Sequence, residues 1–472
     1  MLRQRSFTAM RAMVESRSSI QNWLIVNMIH DIPEVGRARN AGGLVRIPPG
    51  VDVPLTPRVR RLIDTASFRR LAQISQLGLV SFVYPAANHS RQEHSLGVFL
   101  AAIEYLDRLA ADERFADAVS PHEAELFLAA ALLHDIGHCP FGHPIEDVRL
   151  PGIATHEERA RSRIERFEIA DALREDWGLD PAEVAALVAG DVNGAPRQIL
   201  RSMLAGPIDV DKMDYLMRDS LHAGVPYGRN FDRRRLVGSL CLNEAGDALA
   251  ITDKGKTAAE MMVFARYVMF SEVYWHHAVR AATAMFQRAI FFLHHEIDLE
   301  RVLPPLNDQH LMEALRHLSR ERPDVVFELL DGIFGSARRL YKRLAQYSFF
   351  EEPELYRRLA RRPYAELVQV AERIAAALGD ALGQPVAPHD VLVDAPPVEL
   401  EVQFNIDVYY PKQNVYRRLG DVSPVVRTLA EEQFDDYVKR VRIFVHPRIA
   451  AEAARLPDLA KRLAATIEAE TP

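Results

Sequence analysis

The segment LLHDIGHCPFGH places one aspartate and three histidines where an apolar helical pattern ends. His134 and Asp135 fall in the last turn of that helix, and His138 and His143 follow it. Imidazole and carboxylate groups are costly to bury without partners, so either these side chains satisfy one another or a charged ligand lies among them. The C-terminal end of a helix is its negative pole and favours a nearby cation. We therefore interpret His134 and Asp135 as part of a divalent-metal site.

One helix end supplies only part of a coordination shell. His94, in RQEHSLG, and Asp211, in IDVDKMDY, lie in flanking helical patterns and are the further candidate ligands. Two imidazoles and two carboxylates leave positions open for water and for substrate oxygens. Such a mixed nitrogen and oxygen shell suits Mn, Fe, Ni, Zn or Mg, and the sequence does not choose among these metals.

The elements that must position these residues are mostly helical. Apolar residues recur at helical spacing in RVRRLIDTASFRRLAQISQLG, EHSLGVFLAAIEYLDRLAA, PHEAELFLAAALLHDIG and DVDKMDYLMRDSLHAG. Thr56 and Pro57 have the residue types of an N-cap and a first helical position. Residues 255–298 predict one long helical stretch, and residues 308–380 predict shorter helices.

Strand patterns are fewer and lie mostly near the C-terminus. Residues 237–253 predict a hairpin that turns at Glu244–Gly246, and the Pro-rich residues 46–57 predict an extended segment. After residue 390, VLVDAPPVELEVQFNIDVYY and VKRVRIFVHP alternate like strands, before a final helix from residue 447. The predicted fold class is therefore mostly α, with a smaller α+β C-terminal region.

Five motifs in a fixed order resemble a known family. They are QLGLVSFVYPAANHSRQEHSLGV, LLHDIGHCPFGH, THEE, IDVDKMDYLMRD and RYVMFSEVYWHHAVRA. The set resembles the deoxynucleoside triphosphate triphosphohydrolases of the HD-domain phosphohydrolases, which include bacterial dGTPase-like enzymes and a vertebrate enzyme with a SAM and an HD domain. The likeness is good over about residues 58–290, and it is looser but collinear to about residue 445.

The resemblance implies a domain organisation around an HD-domain helical core. We predict four regions, which are an N-terminal extension (1–50), the HD phosphohydrolase core (51–300), a helical extension (301–385) and the α+β C-terminal region (386–472). The resemblance also implies one divalent metal per active site, held by residues that match the family's ligands: His94, His134, Asp135 and Asp211. Additional Mg carried by a bound nucleotide is left open.

Further histidines match those that line the cleaved phosphate in the family. An alkoxide leaving group needs a proton, and imidazolium can donate one near neutral pH. We predict that His143 is the general acid and that Glu146 orients it. His138 and His156 are expected to stabilise charge on the phosphates, with Glu157 beside His156.

The resemblance also implies residues that contact the substrate. Phosphate contacts, residues beside the sugar and residues of the far pocket wall are matched by Gln76, Leu77, Arg91, Lys212, Tyr215, Asp219, Arg266, Tyr274 and His276. Two positions depart from the family pattern. Ala72 replaces an arginine of the regulatory nucleotide site, and Trp275 stands where a polar residue faces the base, so neither an activator nor a base preference carries over.

The function implied by the resemblance is metal-dependent hydrolysis of deoxynucleoside triphosphates to deoxynucleoside and triphosphate. Two alternatives stay open at this point. One is hydrolysis of another phosphoester, such as a nucleotide monophosphate or a DNA end, and the other is a nucleotide-sensing regulator with little turnover. Family members are usually oligomers, so we expect a homotetramer or homohexamer.

The bulk properties exclude several classes of protein. The net charge of −7 argues against broad, sequence-blind binding of nucleic acid, which needs a basic surface. Only two cysteines are present, so a disulfide framework is excluded, and this count fits a reducing, cytoplasmic location. No apolar run approaches the roughly 20 residues of a membrane span. The first residues are rich in arginine and lack acids until Glu15, which fits either a transit-like leader or, as we favour, an extension caused by a misplaced start.

Overall fold

The computed structural model describes residues 29–36, 43–320, 325–398, 405–431, 436 and 438–469. The prediction of a leader or misplaced start concerns residues 1–28, which lie outside the described residues, as do residues 399–404 of the predicted strand pattern. Within the described ranges the fold is mostly helical with small sheets, which confirms the predicted fold class. None of the helices in these ranges is both long and apolar enough to cross a membrane.

The first helices carry the HD motifs. They are α1 (Pro57–Ile63), α2 (Ala66–Arg69), α3 (Arg91–Leu109), α4 (Glu113–Ala118), α5 (Pro121–Leu133), α6 (Gly142–Glu146), α7 (His156–Ile164), α8 (Phe167–Ala172), α9 (Pro181–Ala189), α10 (Ala195–Ala205), α11 (Val210–His222) and α12 (Arg233–Gly238). As predicted, Thr56 caps α1, and its side chain accepts a hydrogen bond from the Val59 amide.

The later helices continue the helical region and then pack on a sheet. They are α13 (Lys256–Val268), α14 (His277–Leu293), α15 (Leu299–Val302), α16 (Asp308–Arg320), α17 (Val325–Phe334), α18 (Pro353–Leu359), α19 (Tyr364–Leu382), α20 (Leu419–Val422), α21 (Pro424–Val426), α22 (Pro447–Ala453) and α23 (Leu459–Glu468).

The strands of the described ranges form three small sheets. They are β1 (Leu44–Ile47), β2 (Val51–Pro54), β3 (Leu240–Leu242), β4 (Leu249–Thr252), β5 (Lys342–Tyr347), β6 (Val391–Asp394), β7 (Asp407–Tyr410), β8 (Val415–Arg418) and β9 (Val441–Val445). The sheet orders are β1-β2, β3-β4-β7-β8 and β5-β9-β6. Because β7 pairs in parallel with β4, the C-terminal third of the chain is hydrogen-bonded directly to the predicted hairpin of the core.

Helix α5 is the buried axis of the HD region. From Leu126 onward its sequence, PHEAELFLAAALL, is apolar on every face, and the residues from Leu126 to Leu133 are all fully buried. Ser120 and Glu123 form a reciprocal capping box that fixes where the helix begins. The helix packs between α3, α9 and α10. A rigid, fully buried helix therefore presents His134 and Asp135 at its C-terminal end.

Two local predictions were wrong because tertiary contacts override local pattern. The stretch predicted as one long helix breaks between α13 and α14, after a π-helical turn at Met269–Tyr274. There His276 adopts an extended backbone and caps α14, and the Trp275 indole donates to the Arg440 carbonyl oxygen at 2.9 Å. Strand β5 lies in the range predicted as helices, since it pairs with β9, about a hundred residues later. The predicted hairpin at 237–253 is confirmed.

Candidate active site

His134 ends α5 with one ring nitrogen already used. Its Nδ1 lies 2.9 Å from the Ala131 carbonyl oxygen, and because a carbonyl only accepts, Nδ1 carries the hydrogen. The other nitrogen, Nε2, therefore presents a lone pair. It lies 3.3 Å from Nε2 of His94, which reaches it from the second turn of α3.

The carboxylates of the motif surround these two nitrogens. Asp211 Oδ1 lies 3.0 Å from His94 Nε2 and 3.9 Å from His134 Nε2. Asp135 Oδ1 lies 3.4 Å from His134 Nε2. The donor atoms of His94, His134 and Asp135 all lie within 4.8 Å of one another. The structure thus brings together all four predicted ligands, which the sequence separates by up to 117 positions.

This donor set fits a divalent metal ion. Donor atoms that share one ion at about 2.0–2.2 Å lie roughly 3 Å apart, which is the spacing found here. Two imidazole nitrogens that face each other also need a cation or a proton between them. Burial alone would lower the pKa of His94, but hydrogen bonds to Asp211 and Asp214 outweigh burial and raise that pKa to about 10. His94, His134 and Asp135 therefore form a potential metal site.

Arg91 and Lys212, the predicted phosphate contacts, already have carboxylate partners. Arg91 NH1 donates to Asp135 Oδ2 at 2.8 Å, and Lys212 Nζ donates to Asp209 Oδ2 at 2.6 Å. Asp209 is also the N-cap of α11, and burial raises its pKa to about 6 in spite of Lys212. Burial would likewise raise the pKa of Asp135, but Arg91 and the neighbouring histidines hold it well below its usual range.

Three histidines form a cluster on the other side of Asp135. His138 Nε2 lies 3.2 Å from Asp135 Oδ1. The rings of His138 and His156 stack with centroids 4.1 Å apart, and the His143 ring lies 4.8 Å from that of His138. His138 Nδ1 is buried and has no hydrogen-bond partner among the described residues. A ligand that accepts or donates a hydrogen bond would satisfy this atom.

Glu146 contacts a different histidine from the one predicted. Its Oε2 lies 2.9 Å from Nδ1 of His156, whereas we predicted that it orients His143. Burial would lower the pKa of His156, but Glu146 and Glu157 outweigh burial and raise it. His143 is an exposed residue at the edge of the cluster, but burial of its imidazole against the neighbouring groups, together with Arg91, lowers its pKa. The sequence showed that Glu146 is near the histidines, but only the turn after α6 sets which ring it meets.

Asp219, one of the residues predicted to contact the substrate, is itself contacted by two other side chains. Asp211, Tyr215 and Asp219 follow one another at four-residue spacing and so share one face of α11. Tyr274, in the π-helical turn, donates its hydroxyl to Asp219 Oδ2 at 2.6 Å. His89 Nε2 lies 2.9 Å from the other carboxylate oxygen. Asp219 is thus buried and held on both oxygens.

The remaining residues predicted to contact the substrate differ in how deeply they are buried. Gln76 is next to half-buried Leu77, and its side-chain Oε1 is buried and has no hydrogen-bond partner in the described ranges. Arg266, on α13, is almost fully buried, with its guanidinium 5.4 Å from the Phe270 ring. His276 caps α14 and lies edge-on to the Tyr84 ring, at 6.3 Å between centroids, so it stands apart from the contacts of Asp219.

Sequence reasoning assigned no role to two residues that contact the site. Asp214 lies 2.9 Å from Nδ1 of His94, and His89 contacts Asp219. Their sequence signal is proximity alone, because Asp214 follows Asp211 by three residues and His89 precedes Arg91 by two.

Comparisons with known proteins agree with this geometry. A profile of the HD domain matches residues 91–219, which span the four donor residues, and a profile of the HD-associated region matches residues 231–455. An uncharacterized protein of Methanocaldococcus jannaschii, MJ1154, is 30% identical over 381 residues, which cover 80% of this chain and 74% of that protein. The chain belongs to the HD-domain protein family. As an HD-domain phosphohydrolase with an HD-associated region, it is a metal-binding hydrolase.

Two further similarities extend over most of this HD-domain protein. The deoxynucleoside triphosphate triphosphohydrolase SAMHD1 of Gallus gallus is 29% identical over 427 residues, covering 80% of this chain and 64% of that enzyme. The crystal structure of a hypothetical protein from Aquifex aeolicus superposes with a TM-score of 0.67 at 28% identity, covering 87% of this chain and 98% of that one.

Proposed function

We propose that this HD-domain protein hydrolyses deoxynucleoside triphosphates to deoxynucleoside and triphosphate. The observation that carries the proposal is the contact of 3.2 Å between Asp135 and His138, which joins the donor set to the histidine cluster. A metal site that lies directly beside a group of proton donors suits the hydrolysis of a phosphoester. The similarity to the Gallus gallus triphosphohydrolase supports the deoxynucleoside triphosphate as substrate.

In the proposed reaction, the oxygen of a water molecule bonds to the α-phosphorus, and the bond from that phosphorus to the nucleoside 5′-oxygen breaks. The 5′-oxygen takes a proton from an imidazolium, so the deoxynucleoside leaves with a 5′-hydroxyl. The attacking water releases a proton to the solvent, and its oxygen departs with the three phosphates as triphosphate. A divalent ion held by His94, His134, Asp135 and Asp211 would supply Lewis acidity and lower the pKa of the attacking water.

We assign the proton donor to the cluster of His143, His156 and His138. His143 is our first candidate, as predicted from the sequence, because it is an exposed residue at the edge of the cluster. His156 is the second candidate for the proton donor, because Glu146 raises its pKa and so keeps more of this residue protonated at neutral pH. His138 has its pKa held well below the usual range by burial and by Arg91, so it suits phosphate contact better than proton donation.

We assign the remaining predicted residues to substrate binding. Positive charge for the phosphates is supplied by Arg91, Lys212 and Arg266. The nucleoside is expected to contact Gln76, Leu77, Tyr215, Asp219, Tyr274 and His276. We further propose that the protein works in the cytoplasm as a homotetramer or homohexamer.

The test is product identification with purified protein and each deoxynucleoside triphosphate in the presence of Mn²⁺ or Mg²⁺. Release of intact triphosphate together with deoxynucleoside is the expected result, and His134→Ala should abolish it. Orthophosphate from nucleotide monophosphates would replace the proposal with a different phosphohydrolase. Binding of nucleotides without any product would replace it with a nucleotide sensor.

A further inference from the structure

Both ring nitrogens of His94 have partners. Nε2 faces Asp211 and His134 in the donor set, while Nδ1 lies 2.9 Å from Asp214 Oδ2. Because a carboxylate only accepts, Nδ1 carries a hydrogen, and with a cation in the donor set the neutral ring presents its lone pair on Nε2. Asp214 thereby selects the tautomer that can bind a metal.

Arg218 in turn holds Asp214 in a fixed orientation. Its Nε donates to Asp214 Oδ2 and its NH2 to Asp214 Oδ1, both at 2.8 Å. Such a two-pronged pair fixes the plane of the carboxylate as well as its distance. Both side chains are buried, at 9% and 5% exposure, so water does not compete for these bonds.

Arg218 is itself anchored to two other elements. Its NH1 donates to Glu93 Oε1 at 2.6 Å, and to the Pro48 carbonyl oxygen, in the turn between β1 and β2, at 3.2 Å. Glu93 Oε1 also lies 2.8 Å from His222 Nε2. The orientation of one metal ligand therefore depends on contacts among α3, α11 and the first hairpin.

Helix α3 leaves the space that this arrangement needs. Gly97 lies one turn after His94, and a Cβ atom there would clash with Asp214 Oδ1 and with Arg218 NH2. Neither atom can retreat without breaking the pair that holds His94. The glycine is thus explained by the close approach of the Asp214–Arg218 pair to α3.

We propose that Asp214 and Arg218 are positioning residues that hold His94 as a metal ligand and so set the affinity of the site for a divalent cation. An outer carboxylate fixes the direction of the imidazole lone pair and increases its basicity, and loss of such a partner typically weakens metal binding about 10–100-fold. The inference concerns the metal alone and does not depend on which phosphoester is hydrolysed.

The test is a calorimetric titration of the metal-free, full-length protein with Mn²⁺. We expect Asp214→Asn and Arg218→Gln each to weaken Mn²⁺ binding about 10-fold or more, and Asp214→Ala to weaken it further, towards 100-fold. His94→Ala should abolish binding at this site.

The matched control is a second buried Asp–Arg pair. Arg280 donates to Asp394 through Nε and NH2, and these side chains are 9% and 1% exposed, but they join α14 to β6. Asp394→Asn should reduce the free energy of unfolding and leave Mn²⁺ affinity unchanged. If Asp214→Asn and Arg218→Gln bind Mn²⁺ as tightly as Asp394→Asn does, the pair is structural only. A folded protein with intact Mn²⁺ binding but no triphosphate release would count against the proposed function and not against this inference.

Discussion

At the scale of single residues, the site is a set of groups whose properties come from their immediate partners. A hydrogen bond to Glu146 raises the pKa of His156 against the effect of burial, whereas burial and Arg91 lower the pKa of His143. Lys212 forms an ion pair with the buried carboxylate of Asp209. Removal of these partners should change the pKa of His156 and the stability of the fold, and we make one prediction for each.

The first prediction concerns the pH dependence of hydrolysis in Glu146→Gln. If His156 is the proton donor, activity is lost as the pH rises through its pKa. Because Glu146 raises that pKa, its removal should shift the loss of activity to lower pH. The pH profile of kcat measures the shift. Glu165→Gln, at the exposed end of α7, is the control and should leave the profile unchanged. A profile that does not move in Glu146→Gln would contradict His156 as the donor.

The second prediction concerns stability in Lys212→Ala. The substitution leaves Asp209 fully buried without its partner. Loss of one member of a buried ion pair costs about 3–5 kcal/mol, so the free energy of unfolding should fall by roughly that amount. Urea denaturation measures it. Exposed Lys254→Ala is the control and should change stability by no more than about 0.5 kcal/mol. Equal stability of the two variants would contradict the importance of the buried pair.

At the scale of elements, the site depends on how closely α7 approaches the end of α5. A Cβ atom at Gly137 would clash with the His156 carbonyl oxygen and with the backbone of Ala160. Backbone atoms cannot move aside as a flexible side chain can. The glycine therefore lets α7 bring His156 against His138, and the histidine cluster exists because two helices meet at backbone contact.

The third prediction follows from this contact. Gly137→Ala should push α7 away from the end of α5, reduce the free energy of unfolding by about 1–3 kcal/mol and lower hydrolysis by moving His156. Thermal unfolding and initial rates measure the two effects. Gly238→Ala is the control, because a Cβ atom there meets nothing within 4 Å and an alanine suits a helix, so this variant should be neutral or slightly stabilised. Normal activity in Gly137→Ala would refute the argument.

At the scale of the whole molecule, the buried apolar residues of the described ranges form separate clusters. One large cluster of buried apolar residues includes α5 and α11, a second joins α14 to α17, and a third joins β5, β6 and β9 to α19. The parallel pairing of β4 with β7 ties the C-terminal region to the HD core. The donor set therefore forms only in the folded chain, because its members come from α3, the end of α5 and α11.

The fourth prediction is that metal binding stabilises the fold as a whole. A ligand that binds only the folded state at about 100 times its Kd adds roughly 2.7 kcal/mol to the free energy of unfolding. Mn²⁺ should accordingly raise the Tm of chelator-treated protein, and His134→Ala should remove this increase. A Tm that rises equally in both proteins would point to binding elsewhere.

The fifth prediction is the state of assembly. From its resemblance to the triphosphohydrolases, the protein should have four or six times the mass of one chain in solution. Light scattering coupled to size-exclusion chromatography, with and without deoxynucleoside triphosphate and Mn²⁺, measures the mass. A monomer under all of these conditions would contradict the expectation.

The mostly helical class, the buried helix α5 and the four candidate donor residues could be predicted without coordinates. Each of these depends on residue type and short-range order: an all-apolar run capped by Ser120 and Glu123, and the motifs that contain His94, His134 and Asp211. Patterns of this kind are legible without coordinates, because helix formation and ligand chemistry act over a few residues.

The partner of each polar group depends on the tertiary structure. Glu146 meets His156, Asp214 meets His94 across 120 positions, and the helix predicted at 255–298 breaks where Trp275 reaches Arg440. Strand β5 exists because β9 pairs with it. The physical reason is the same in each case. A hydrogen bond or a strand pair between distant segments depends on how whole elements pack. The local sequence does not specify which distant segments that packing brings together.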